Sequence, residues 1–215
     1  METLAWQASL LDAATTPDPG VAAPVWPPPV DAVRRIDLDA EAWVDHAPGW
    51  LPGADGWFDR VVAALDWRQR TERIQGKEIA QPRLTDHLPL TDLPTGLDPL
   101  AEVGEGLSRH YGVRFERLGA NLYRDGRDSV AWHGDRIARD RPTALIAIVS
   151  LGEPRRFRLR PAEGGTGPGF DLGHGDLLVM GGACQRTWKH AVPKVARAGP
   201  RISLTFRHAY PPDTV

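Results

Sequence analysis

The chain has 215 residues, 41% of them hydrophobic and 25% charged, with a formal net charge of −2. These are ordinary globular proportions, and they exclude wholesale disorder, collagen and coiled coil. The longest apolar run, Ala144 to Val149, is too short to cross a bilayer, so no membrane partner is expected. No basic-then-apolar opening marks a secretory leader. A single cysteine, Cys184, excludes an intrachain disulfide framework and a multi-cysteine zinc module, and suits a reducing, cytoplasmic location.

In chain order, residues 1–30 hold six prolines, from Pro17 to Pro29, and read as an extended arm. Residues 31–215 are expected to form one domain, and the protein to be a monomer. From Gly56 to Trp67 the positions of Trp57, Phe58, Val61, Val62 and Leu65 follow helical spacing. A second helix is predicted from Asp98 to Tyr111, with Leu100, Val103 and Leu107 on one face and Gly112 as its stop. Trp43 and Trp50 are expected at helix ends, as anchors for the N-terminal half. After Gly112 short runs recur between glycine-rich breaks: 118–123, 144–151, 156–159, 177–180, 185–190 and 202–206. This spacing predicts an antiparallel sandwich or barrel. The expected order is therefore helices first, then an all-β core.

Charge divides along the same line. Residues 1–107 carry 8 Lys/Arg against 18 Asp/Glu, a balance of −10, and residues 108–215 carry 18 against 10, a balance of +8. Of the 26 basic residues 23 are Arg. A coding bias toward Arg, Ala, Pro and Gly explains this as well as a need for bidentate anion recognition does.

Trp132-His133-Gly134-Asp135 is the best local signal for chemistry. In an extended strand, positions i and i+2 share a face, so His133 and Asp135 can point at one ion. Alone, His-x-Asp is a weak pattern. His190, near the end of a later predicted strand, would complete a two-His, one-carboxylate facial set, which favours non-haem Fe(II) and leaves coordination positions open. The segment Arg201-Ile-Ser-Leu-Thr-Phe-Arg207 places Arg201, Ser203, Thr205 and Arg207 on one strand face. Two inward Arg are costly unless each meets an anion. An edge strand with solvated Arg is the more frequent setting for such a pattern on its own. A dicarboxylic 2-oxo acid would satisfy both cations.

Together these residues resemble the AlkB family of Fe(II)- and 2-oxoglutarate-dependent dioxygenases. The matching segments are Asn121-Leu-Tyr123-Arg-Asp-Gly126, His133-Gly-Asp135, Ile148-Val-Ser-Leu-Gly152, His174-Gly-Asp176-Leu-Leu-Val-Met180, Trp188-Lys-His190-Ala-Val-Pro193 and Arg201 to Arg207. Their order and spacing agree over about residues 115–208, with Gln81-Pro82-Arg83-Leu84 as a further match upstream.

The resemblance implies a mostly β chain with N-terminal helices (α+β). Its double-stranded β-helix, or jelly roll, would span about 113–210, beside a nucleotide-recognition lid near 68–88. It implies His133, Asp135 and His190 as Fe(II) ligands. Arg201, helped by Asn121 and Tyr123, would hold the distal carboxylate of 2-oxoglutarate, and Arg207 would sit near its other carboxylate and Asp135. With O2, the implied activity is oxidative dealkylation of N-alkylated or etheno-adducted bases in DNA, with RNA a further candidate, coupled to conversion of 2-oxoglutarate to succinate. Candidate nucleic-acid contacts are Arg73, Gln75, Lys77, Arg83, His87 and Trp132. Family members often carry an aromatic residue just after Pro-Arg-Leu, where this chain has Asp86 and His87. Two competing readings are a hydroxylase of the same mechanism acting on a small molecule or protein side chain, and a non-catalytic jelly-roll sensor.

Overall fold

The structure is a computed structural model describing residues 27–30, 33–74, 77–135, 141 and 143–208, without the side chains of Glu72, Ile74 and Lys77. Three helices and thirteen strands are present among these residues. β1 (Arg34–Asp37) and β2 (Ala42–Ala47) precede α1 (Ala54–Ala64). β3 (Thr71–Ile74), β4 (Lys77–Ala80) and β5 (Leu84–Pro89) lead to α2 (Pro99–Tyr111). Then follow β6 (Arg117–Tyr123), β7 (Val130–His133), β8 (Ile146–Gly152), β9 (Arg155–Pro161), β10 (Gly169–Leu172) and β11 (Leu177–Gly182). A single helical turn, α3 (Cys184–Thr187), enters β12 (Trp188–Val192), and β13 (Arg201–Arg207) closes the fold.

The strands form an antiparallel seven-stranded sheet, β1-β2-β11-β8-β13-β6-β5, a four-stranded sheet, β10-β9-β12-β7, and a β3-β4 hairpin. The central strands of the larger sheet are buried on both faces. In β8, Ile146 and Ile148 face the smaller sheet, where they join Phe157, Leu159, Phe170 and Met180. Ala147, Val149 and Leu151 face the helices, with Trp57, Val61, Leu100, Val103 and Leu107. This explains why 144–151 is nearly continuous in apolar residues rather than alternating.

Both predicted helices form. α1 starts two residues earlier and stops at Ala64, because Leu65 is already extended. Trp67 folds back to donate from Nε1 to the Val62 carbonyl at 3.0 Å. α2 opens on Pro99 and ends at Gly112, whose φ of 63° is left-handed. Its Gly104 packs so tightly that a Cβ there would lie 2.7 Å from Leu90 Cδ1.

The simple order of helices before strands does not hold. Five strands precede α2, and β1, β2 and β5 are members of the main sheet. Trp43 accordingly lies on a strand, stacked on Tyr111 at 5.9 Å between ring centroids. Trp50 sits in a loop and donates to the Pro29 carbonyl at 2.9 Å. Residues 185–190, expected as one strand, begin as α3 because the chain turns a corner between β11 and β12. Only Pro27–Val30 of the proline-rich arm lies within the described residues. Cys184 is buried, which pushes its thiol up to about 12. No helix among the described residues is long and apolar enough to cross a membrane.

Asp176 ties the layers together. Its carboxylate accepts from the Gly49 amide at 2.8 Å and the Gly173 amide at 3.0 Å, and lies 3.1 Å from His46 Nε2. Burial opposes its charge, but His46 and the two amides outweigh burial and hold the carboxyl below its ordinary value. Asp176→Ala is expected to cost about 3 kcal/mol, since it strands charge-assisted donors. Because the folded value is depressed, this contribution is complete above the unfolded value near ~4 and lost as pH falls through the folded one. Urea unfolding of both proteins at neutral pH and in acid checks this: the two curves should converge in acid.

Candidate metal centre and anion pocket

β7 and β12 pair antiparallel so that His133 faces His190 directly, with a register shift between His190 and Val192. The two rings lie 4.2 Å apart between centroids. His133 Nδ1 is 2.9 Å from the Ala131 carbonyl. A carbonyl can only accept, so Nδ1 carries a proton, and in the neutral ring Nε2 is the nitrogen that offers a lone pair to the site. Asp135 follows past Gly134 and puts Oδ1 3.7 Å from His133 Nε2 and 3.9 Å from His190 Nε2. A Cβ on Gly134 would lie 2.6 Å from the Gln185 carbonyl oxygen, so the approach of this turn to α3 requires glycine. The Asp135 amide donates to Gln185 Oε1 at 3.2 Å, and Gln185 Nε2 contacts Met180 Sδ at 3.3 Å.

The protonation states suit metal ligation. Burial and the neighbouring His133 push His190 down to about 3, leaving it neutral. Burial opposes ionisation of Asp135, but Arg207, His190, His133 and His87 hold it below its ordinary value. Among the described residues His133, Asp135 and His190 form the one cluster whose donor atoms could hold a metal ion, all within 4.8 Å of one another. Donors about 2.1 Å from one ion at right angles lie about 3 Å apart, so the two carboxylate–imidazole separations each need to shorten by less than ~1 Å to meet a common ion.

Beside the triad lies a pocket lined by Arg83, Asn121, Tyr123, Arg201, Ser203 and Arg207, with Ile146, Ile148 and Val192 as apolar walls. Its lining includes three guanidiniums and no carboxylate. Arg201 is 1% exposed. Its Nε donates to Ser150 Oγ at 2.9 Å and its Cζ stands 5.2 Å from the Tyr123 ring, but Nη1 is buried without a hydrogen-bond partner. Burial lowers its pKa. Arg207 Nη2 is 3.2 Å from Asp135 Oδ2, an ion pair whose alignment falls short of a hydrogen bond, so Oδ2 and Arg207 Nε both stay unsatisfied. Buried cations left with open donors are the complement of an absent anion. A larger open concavity by Arg127, Glu153 and Arg197 contains none of these groups.

The structure thus brings together His133, Asp135, His190, Asn121, Tyr123, Arg201 and Arg207, and puts Ser203 and Thr205 on the same pocket face. The nucleic-acid candidates are scattered. Arg83 lines the anion pocket and donates from Nε to Asn121 Oδ1 at 2.9 Å. Arg73 is exposed on the β3-β4 hairpin. Gln75 and the Lys77 side chain lie outside the described residues. His87 stays exposed at the surface over Gly119, and burial of its inner edge beside Arg70 and Arg207 brings it down to about 4. Trp132 is not in the pocket; it lies on the outer face of the smaller sheet, against Arg158 and Arg160. Neither Gln185 nor Ser150 is a candidate site residue from the sequence, although Ser150 lies within the matching segment 148–152. Both act through backbone corners or neighbours that only the fold supplies.

The family model described as the 2OG-Fe(II) oxygenase superfamily matches residues 52–207. Alpha-ketoglutarate-dependent dioxygenase alkB homolog 3 of Bos taurus is 35% identical over 190 residues, covering 76% of this chain and 65% of that protein. DNA oxidative demethylase ALKBH2 of Arabidopsis thaliana is 33% identical over 215 residues, covering 81% of this chain and 68% of that protein. The chain belongs to the AlkB family of 2OG-Fe(II) oxygenases. It spans about two thirds of the length of these relatives. A solved structure of OsALKBH1 shares the fold, with a TM-score of 0.60 at 14% identity, covering 77% of this chain and 97% of that one. The jelly-roll expectation is borne out. An AlkB-family oxygenase uses Fe(II), 2-oxoglutarate and O2, and the residues present fit them: two imidazoles with a carboxylate for the metal, and unsatisfied buried guanidiniums for a dicarboxylate.

Gly134→Ala is expected to push the His133–Asp135 turn off α3 and weaken Fe(II) affinity by on the order of 10-fold or more, as loss of supporting contacts around metal ligands does. Titration with Fe(II) under anaerobic conditions reads this. Unchanged affinity would remove the close approach to Gln185 as the reason for glycine.

Proposed function

We propose that this chain is an Fe(II)/2-oxoglutarate dioxygenase that oxidatively removes alkyl or etheno groups from nucleobases in DNA, with RNA as a further substrate. In this reading His133, Asp135 and His190 hold the iron. Arg201, Asn121 and Tyr123 receive the distal carboxylate of 2-oxoglutarate, and Arg207 sits between Asp135 and the other carboxylate. The observation that carries it is the triad beside a pocket whose buried Arg201 and Arg207 retain unpaired donors. Support for the nucleobase comes from relatives whose names are DNA oxidative demethylase ALKBH2 and alkB homolog 3.

The chain's own residues orient and exclude. Arg201, anchored by Ser150 and flanked by the Tyr123 ring, is pre-aligned for a carboxylate. Arg83 engages Asn121 Oδ1, which leaves the Asn121 amide hydrogens for the co-substrate. Ile146, Ile148, Phe157 and Val192 keep water from the reacting region. Bound iron supplies the activation of O2, with 2-oxoglutarate as the electron source; the protein supplies position and a dry wall. The alkylated atom lies inside a base pair, so the nucleotide must be single-stranded or flipped out.

One observation favours a second reading, hydroxylation of a small molecule or protein side chain. Where an aromatic residue would stack on a base, Asp86 instead accepts from the Asp66 amide and His87 lies over Gly119. A panel of methylated and etheno-adducted bases in single strands, duplexes and RNA, with Fe(II) and 2-oxoglutarate, separates the two. The primary reading expects succinate formed in step with base repair; succinate with every base untouched would sink it. Arg201→Lys loses the bidentate contact and is expected to raise the 2-oxoglutarate KM by on the order of 100-fold, about 3 kcal/mol for a charge-assisted pair. Substrate KM should change little, and an unchanged co-substrate KM would move the dicarboxylate elsewhere.

A further inference from the structure

The outward face of the four-stranded sheet is basic and unassigned. Along β9 the inward positions Phe157 and Leu159 are core, while Arg156, Arg158 and Arg160 alternate outward. Lys189 of β12 pairs with Arg160 in register. Arg156 has a partner, Asp171, at 2.8 Å. Arg158, Arg160 and Lys189 make no ion pair among the described residues, and Arg160 Nε is buried without a hydrogen-bond partner. Trp132 lies on this same face. Its ring centroid is 4.4 Å from Arg160 Cζ and 5.7 Å from Arg158 Cζ. The strand between them presents Ala191, paired with Arg158 and too small to separate indole from guanidinium.

We propose that this face is a platform for a single strand of nucleic acid, with phosphates on Arg158, Arg160 and Lys189 and a base on Trp132. Charge complementarity selects a polyanion, and Arg forks suit phosphate. An indole set among cations suits a strand that offers bases as well as phosphates, where each base can stack on an aromatic ring without regard to sequence. Trp132 immediately precedes His133, so a strand crossing this platform leads to the rim of the metal site. The inference rests on the nucleic-acid reading above and adds where the flanking strand lies, a surface separate from the β3-β4 hairpin.

The test compares wild type, the double variant Arg158→Ser/Arg160→Ser, its conservative counterpart Arg158→Lys/Arg160→Lys, and Trp132→Ala. The probe is a fluorescein-labelled single strand of about 16 nucleotides, titrated across a salt series. Removing two phosphate contacts is expected to reduce the slope of log affinity against log salt by about 1.4, and the lysine pair to restore it. Trp132→Ala is expected to lose about tenfold in affinity at fixed salt, the scale of one stacked base. Succinate production on a modified trinucleotide, too short to reach the platform, should be the same in the double serine variant as in wild type, which also reports that the variant is folded. Wild-type affinity and slope in the double serine variant would overturn the platform while leaving the nucleic-acid reading intact. Failure of wild type to bind any strand would overturn both. If Trp132→Ala binds normally and polyglutamate competes as well as the strand does, the face is an acidic-protein surface and the proposal falls.

Discussion

The arrangement depends on positive charge buried inside a β-sandwich. β13 crosses the middle of the larger sheet and turns Ile202, Leu204 and Phe206 toward the helices, while Arg201, Ser203, Thr205 and Arg207 turn inward. Burying a guanidinium without a counter-charge is expensive, and one carboxylate, Asp135, serves only Arg207. The fold therefore carries an electrostatic deficit that a dicarboxylate removes. Ser150 and Tyr123 hold Arg201 in place meanwhile, but neither neutralises it.

The same deficit sets the state of the triad. Arg207 helps keep Asp135 ionised despite burial, and burial keeps His190 neutral. An ionised Asp135 and a neutral His190 are what a divalent ion needs, whereas a His in water at pH 7 is about a quarter protonated. Strand pairing aligns the imidazoles and the Gly134 turn supplies the carboxylate, so ligand geometry is set by the sheet rather than by a loop. Gln185 completes this by fixing the Asp135 amide.

Much of this was legible in the sequence because it obeys strand periodicity. The even spacing of Arg201, Ser203, Thr205 and Arg207 gives their shared face without any structure, and His-x-Asp with a distal His names the metal set. What was hidden depends on long-range pairing. β2 carries Asp45 and His46 within six residues and becomes a strand because it is sandwiched between β1 and β11; nothing local marks it. The corner at α3 runs straight into the strand at Trp188 with no glycine or proline between them to mark the change, whereas the chain there must change sheets. Trp132 sits next to His133 in β7, so strand alternation sends its ring to the face opposite the metal triad, against Arg158 and Arg160.

Arg83 shows how the two halves of the site are joined. It follows the β3-β4 hairpin and immediately precedes β5, whose register with β6 sets Thr85 opposite Asn121. Its side chain does not reach into solvent as that of Arg73 does but crosses to Asn121, in the pocket that also contains Arg201 and Arg207. The segment after the β3-β4 hairpin is thus tied to the anion site through one side-chain contact and one strand ladder. Any displacement of residues 81–84 changes what Asn121 can offer a carboxylate, and any ligand that draws on Asn121 pulls on the segment leading to the hairpin. Thermodynamic linkage makes that coupling reciprocal.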